Sequence, residues 1–368
     1  MTTLHDALET YRGHTIPHFR FVERRNIWFA CSGVLLALSL IGLVFSGLNY
    51  SIDFEGGAKI QYPLATDVTV TDIQATLADA GRDGAEVQIV SGDQVAIRTE
   101  SLADAADSDA LFANLAEQAG VDVSEVSVED IGPTFGADVR RQAITGLVVV
   151  LASISLYIAL RFEPTMALGA MIALVHDVII TAGIYALVGR EVTPETVIAI
   201  LTILGFSLYD TVVIYDKIKE NTETSALVTR LGYAGVVDLS LNQVLMRSVN
   251  TSLVVLLPIL SLLLFGGDTL KDFAFAMFIG VAIGAYSSIY LAAPLLAVVK
   301  MRDTRYQQLE ARRLARNRGA GAGSNEAATA SQSAARTSDA AARSATARTG
   351  SRPRPKSKRR PPAKRKRR

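Results

Sequence analysis

Six apolar runs, each long enough to cross a bilayer, constrain this chain more than any other feature. About 20 helical residues, at 1.5 Å rise each, span the roughly 30 Å hydrocarbon core. The runs cover residues 27–48, 144–160, 166–188, 196–215, 239–265 and 273–299, each bounded by charge or by Gly and Pro. They predict a polytopic α-helical membrane protein with six transmembrane helices. The first run follows Arg20, Arg24 and Arg25 and is too long for a cleaved signal sequence, so it reads as an uncleaved anchor. Cys31 is the only cysteine, which rules out an intrachain disulfide and a multi-cysteine metal site.

A formal net charge of +1 conceals an acidic segment after the first run and a densely basic end of the chain. Arg24, Arg25, Arg161, Lys217, Lys219, Lys300 and Arg302 fall on one side of the membrane if both termini are cytoplasmic. Arg140, Arg141, Arg190 and Lys271 are local exceptions at headgroup level. The expected organisation is a cytoplasmic segment 1–26, helix 1 at 27–48, an extracytoplasmic domain at 49–143, helices 2–6 within 144–299, and a cytoplasmic tail 300–368.

Within 49–143, residues 58–62, 85–90, 94–98 and 125–128 read as strands, and 70–80 and 110–118 as amphipathic helices. The order βαββαβ predicts an α+β ferredoxin-like domain, two helices on one face of an antiparallel sheet. Asp104 to Asp109 reads as a turn whose carboxylates lack the spacing of a calcium loop. After Leu314 no Leu, Ile, Val, Phe, Met, Trp or Tyr occurs, so the tail cannot build a core and is expected to be disordered. Its last part, 352–368, is rich in Lys, Arg and Pro and suits anionic lipids or ribosomal RNA, or serves as a solvated tail reinforcing orientation.

Charges inside the runs carry the chemistry, because one near the bilayer centre costs about 2.5 to 3.5 kcal/mol on insertion scales. Asp177, Asp210 and Arg247 are the three. Asp210 and Arg247 each lie roughly four or five residues from their span centres, about 6 to 8 Å, on the same side. They are expected to pair. Gln243, Arg247, Asn250 and Thr251 share one helix face, as do Ser207, Asp210 and Thr211. Two such stripes meeting inside a bundle could hold water and relay protons, or form a static ion pair that fixes packing. His176 and Asp177 are neighbours, so one of them is expected to face the relay directly. Gly280, Gly284 and Ser288 form a close-packing face. No P-loop, H-E-x-x-H or G-x-S-x-G is present, His5, His14 and His18 form no convincing metal site, and no cofactor or enzyme activity is expected.

Four segments in order resemble the SecD/SecF family of the resistance-nodulation-division superfamily. Asp53-Phe54-Glu55-Gly56-Gly57 looks like its Asp-Phe-x-Gly-Gly motif, and Gly132-Pro133-Thr134-Phe135-Gly136 like its Gly-Pro-x-x-Gly motif. Gly205 to Val213, continuing through Asp216 to Asn221, and Arg247 to Ser252 resemble its fourth- and fifth-span signatures. The resemblance implies that Asp210 carries protons with Arg247 as its partner, supported by Asn250 and Thr251. Tyr209 departs from the Asn often found before that aspartate. It further implies a complex with SecD beside the SecYEG channel that draws unfolded exported proteins outward at the expense of the proton gradient. The alternatives are a proton-coupled exporter of small molecules or lipids, expected to carry two such six-span halves, and a membrane anchor docking ribosomes through the basic tail.

Overall fold

A computed structural model describes residues 17–90, 94–102 and 105–315. The chain divides into two compact units at Gln307–Gln308; residues 308–315, the described part of the second, are helical. His5, His14 and the basic 352–368 stretch, with almost all of the tail expected to be disordered, lie outside the described residues.

Helix α1 (Arg25–Phe45) leads into β1 (Asn49–Tyr50) and the one-turn α2 (Ile52–Glu55). An α+β domain follows: β2 (Gly57–Pro63), α3 (Val70–Asp79), β3 (Glu86–Val90), β4 (Gln94–Thr99), α4 (Ala105–Ala119) and β5 (Ser127–Ile131). Then come α5 (Pro133–Arg161), α6 (Pro164–Val188), β6 (Glu191–Val192), α7 (Pro194–Glu223), α8 (Ser225–Phe265), α9 (Asp268–Ser287), a π turn Ser288–Ala292 and α10 (Ala293–Lys300). Six helices are long and apolar enough to cross a membrane, the last running from α9 through the π turn into α10.

Several helices outrun their apolar stretches, because the start of a helix depends on local caps and not on hydropathy. Pro133 opens α5 at a position where a missing N–H costs nothing, well before the apolar run begins. Thr193 and Thr196 close a reciprocal capping box at the start of α7. At Gly232, φ 73° breaks α8, which sets its first two turns apart from the span.

In the α+β domain the sheet order is β3-β4-β2-β5 with every neighbouring pair antiparallel. The strands alternate as the pleat demands: Ile60, Tyr62, Val95 and Ile97 pack beneath Ile73 and Leu77 of α3 and Leu111 and Leu115 of α4. Two expectations need correction here. The stretch expected as a turn around Asp104 to Asp109 is helical from Ala105, continuous with the helix expected at 110–118, since the alanines of this stretch favour helix. The strand expected at 125–128 begins at Ser127, because Asp122 accepts the backbone N–H of Ser124 at 2.9 Å and winds Val123–Glu125 into a 3₁₀ turn.

Backbone-to-backbone contact joins this domain to the helices. Gly56 has φ 80°, and a Cβ there would stand 2.7 Å from Pro133 Cα; a Cβ on Gly136 would stand 2.8 Å from Gly56 N. The two glycine motifs therefore form a single contact, with Gly132 and Pro133 turning the chain into α5. Phe54 is driven into a cluster with Tyr185, Ala199, Ile203 and Val281 at the ends of the helices. Beside it, β1 pairs in parallel with β6, and Arg98 of β4 donates to Asn49 Oδ1 at 2.8 Å and to Tyr50 O at 2.5 Å. Substituting Gly56→Ala forces a side chain into a left-handed conformation against a fixed proline, and is expected to destabilise the protein by about 1–3 kcal/mol. Gly84→Ala, with nothing within 4 Å of the new atom, should leave stability unchanged. Denaturant titration of the full chain in detergent checks both.

Candidate functional site

Small residues bring α6, α7 and α9 close enough for short polar side chains to meet. A Cβ on Gly280 would overlap Ile203, and one on Gly284 would stand 2.9 Å from Ser207 Cβ. The expected stripe of small residues is thus the α9–α7 contact, completed where the hydroxyls of Thr211 and Ser288 lie 2.9 Å apart. At the centre sits Asp177, only 1 % exposed. Ser207 and Ser287 donate to its Oδ2 at 2.6 and 2.8 Å, and His176 Nδ1 lies 3.1 Å from Oδ1. His176 is buried as well, so both members of the adjacent pair reach the interior, the ring folding back onto its neighbour.

The second carboxylate, Asp210 of α7, is buried next to α8, where Ser248 donates to its Oδ1 at 2.5 Å; Oδ2 has no protein partner. The expected ion pair with Arg247 does not form. Arg247 is exposed at the side of the helix pair and donates to the Tyr209 hydroxyl at 2.9 Å. Ser248, the next residue, stands level with Asp210, so the inward face of α8 differs from the expected one by one position, about 100°. A serine fits the tight α7–α8 contact and a guanidinium on its long stem does not. Thr251 donates to Arg247 O at 2.7 Å, a bond within its own helix, and Asn250 keeps a buried Oδ1 without a partner. Gln243 accepts from Asn221 at 2.8 Å, away from the carboxylates.

Sequence reasoning missed Ser248 and Ser287. A serine in an apolar helix carries little signal alone, but Ser287 flanks the small-residue stripe and Ser248 lies level with Asp210. Among the described residues no lysine or arginine pairs with either carboxylate; the partners are hydroxyls and one imidazole.

The family model described as "Protein export membrane protein SecD/SecF, C-terminal" matches residues 111–302, more than half of the chain, and the "SecD/SecF GG Motif" model matches 41–68. The chain belongs to the SecD/SecF family. The second match encloses Phe54 and Gly56, which meet Gly136 and Pro133 at the domain junction, together with Asp53, which accepts from Ser51, and Gly57, which lies against the Thr99 carbonyl. "Protein translocase subunit SecF" of Streptomyces coelicolor is 38% identical over 315 residues, covering 84% of this chain and 84% of its own. Its counterpart in Mycobacterium tuberculosis is 40% identical over 327 residues, covering 84% and 74%. Among solved structures, SecDF from Thermus thermophilus, titled a translocon-associated membrane protein, superposes with a TM-score of 0.70 at 37% identity. That match covers 77% of this chain and 39% of the other, so this SecD/SecF member spans about two fifths of the longer SecDF chain.

The geometry distinguishes two partners of Asp210 by energetic coupling. In a double-mutant cycle, Asp210→Asn with Ser248→Ala should couple by about 1 kcal/mol, and Asp210→Asn with Arg247→Gln by less than about 0.5 kcal/mol. Unfolding in mixed micelles measures both, and a larger Arg247 coupling contradicts the observed rotation of α8.

Proposed function

We propose that this protein is a subunit of the Sec protein-export machinery that works with SecD beside SecYEG and uses the proton gradient to promote translocation of unfolded proteins. One observation carries the reading: two carboxylates buried in the helix bundle, Asp177 and Asp210, are held by serine hydroxyls in place of cations. A hydroxyl both donates and accepts, so rotating one O–H satisfies a carboxylate or its acid, whereas an arginine clamp would favour the ionised form alone. Such a site accepts and releases a proton without rebuilding its surroundings. Each proton crossing releases about 2.3 kcal/mol per 100 mV, and several would suffice to move a domain.

In this reading Asp210 is the carrier, Asp177 a second station, and Arg247, Asn250 and Thr251 the groups that bias Asp210 when the partner is bound. Arg247 and the half-exposed Tyr209 share their side of the helices with the exposed Val254, two turns further along α8. A guanidinium there cannot face hydrocarbon at low cost, so this side suits a protein neighbour. SecD is the natural one, because the Thermus thermophilus relative is named for both proteins, SecDF.

The orientation follows from charge: bacterial cytoplasmic membrane, both termini cytoplasmic, and the sheet domain outside, where it meets exported chains. Its sheet order and its two helices on one face support a ferredoxin-like assignment. The chain then divides at residues 26, 48, 143 and 299 into cytoplasmic segment, first span, external domain, remaining spans and tail.

Gradient-dependent export of a secreted reporter, in membranes containing this chain with SecD, tests the reading. Asp210→Asn and Asp177→Asn should each abolish stimulation by the gradient while the complex still assembles. Unchanged stimulation in both variants would reduce the carboxylates to packing groups.

A further inference from the structure

At the start of the first span a cavity of about 620 Å³ opens between α1, the segment before it, α8 and the π turn. Its walls divide by chemistry. His18, Arg20 and Arg24 supply the polar part, and the rings of Phe21, Trp28 and Tyr290 much of the apolar part. The rings form one packed set, with Trp28 and Phe21 centred 4.4 and 5.7 Å from Tyr290.

The preceding segment is fixed in place. Asn242 of α8 accepts the N–H of Phe19 at 2.9 Å and donates to its carbonyl at 2.8 Å, and Asp238 accepts the N–H of Val22 at 2.9 Å. The basic side chains are therefore presented from an anchored backbone. Arg20 pairs at 3.0 Å with Glu23, and its neighbourhood also holds Asp238, itself occupied by Val22. Arg24 has no acidic partner among the described residues and is exposed, leaving one uncompensated guanidinium on the rim.

Cations at the rim, aromatic and aliphatic walls beneath, and a place where a span meets the membrane surface together describe a receptor for an amphipathic anion. We propose that this cavity binds one anionic phospholipid, its phosphate on Arg24 with support from Arg20 and His18, and the start of its acyl chains against Phe21, Trp28 and Tyr290. A neutral lipid lacks the net charge that Arg24 selects, and soluble phosphate lacks the chains that the rings accept. The site is separate from the carboxylates and from the basic tail, and does not depend on their roles.

Trp28 is the only tryptophan in the chain and lines the cavity, which makes its fluorescence a local reporter. Phosphatidylglycerol and phosphatidylcholine carrying the same brominated chains are titrated into the full-length protein in detergent. Quenching by phosphatidylglycerol is expected to saturate near one lipid per protein, at roughly fivefold lower concentration than phosphatidylcholine, the preference one arginine confers. Arg24→Gln should remove that preference and Arg24→Lys retain it, with excess inorganic phosphate competing weakly. Equal quenching by both lipids, showing annular contact only, overturns the proposal, as does preference surviving in Arg24→Gln or full displacement by inorganic phosphate.

Discussion

An ionisable side chain inside a bilayer is costly unless the protein around it supplies hydrogen bonds, chiefly from neighbouring helices. In this protein that requirement fixes the helix bundle. Asp177 draws on Ser207 of α7 and Ser287 of α9, and Asp210 on Ser248 of α8. Hydroxyls on such short stems reach a carboxylate only when backbones approach closely. Gly280 and Gly284 allow that approach, and anything larger would push α9 from α7. Small residues and buried acids are thus two halves of one arrangement, which explains why the apolar helices here depart from plain leucine-rich spans.

The same economy of space governs the domain junction. Gly56, Pro133 and Gly136 let two backbone segments touch where the sheet domain meets α5, while Phe54 is seated among the ends of the helices. Arg98 holds the strand that follows α1, and that strand pairs with the one that follows α6. Asp177 lies on α6, so the helix that carries a buried carboxylate ends in the strand that supports the sheet domain. β6 therefore links α6 to the domain through its hydrogen bonds to β1 and the ion pairs of Glu191 with Lys59 and Arg98.

Much of this was legible in the sequence. Hydropathy located six helices, alternation located the strands, and the cost of burying charge singled out Asp177 and Asp210. The azimuth of α8 was not legible. Helical spacing placed Arg247 at the right depth but facing Asp210, whereas packing selects by size and turns Ser248 inward. The His176–Asp177 bond escaped for a related reason, since spacing separates neighbours on a helix but says nothing of a ring that folds back. Helix starts at Pro133 and Ala105 differ because a proline at the first position and alanine-rich sequence set them, and these lie outside the apolar pattern.

Hydroxyl-held carboxylates that carry protons must change protonation. Infrared difference spectroscopy on the whole protein in membranes with SecD, recorded across a pH titration, reads the carboxyl stretch directly. A buried carboxyl band that appears and disappears reversibly is expected, diminished in Asp210→Asn or in Asp177→Asn. A spectrum without such a band, or one unchanged by both substitutions, would contradict it.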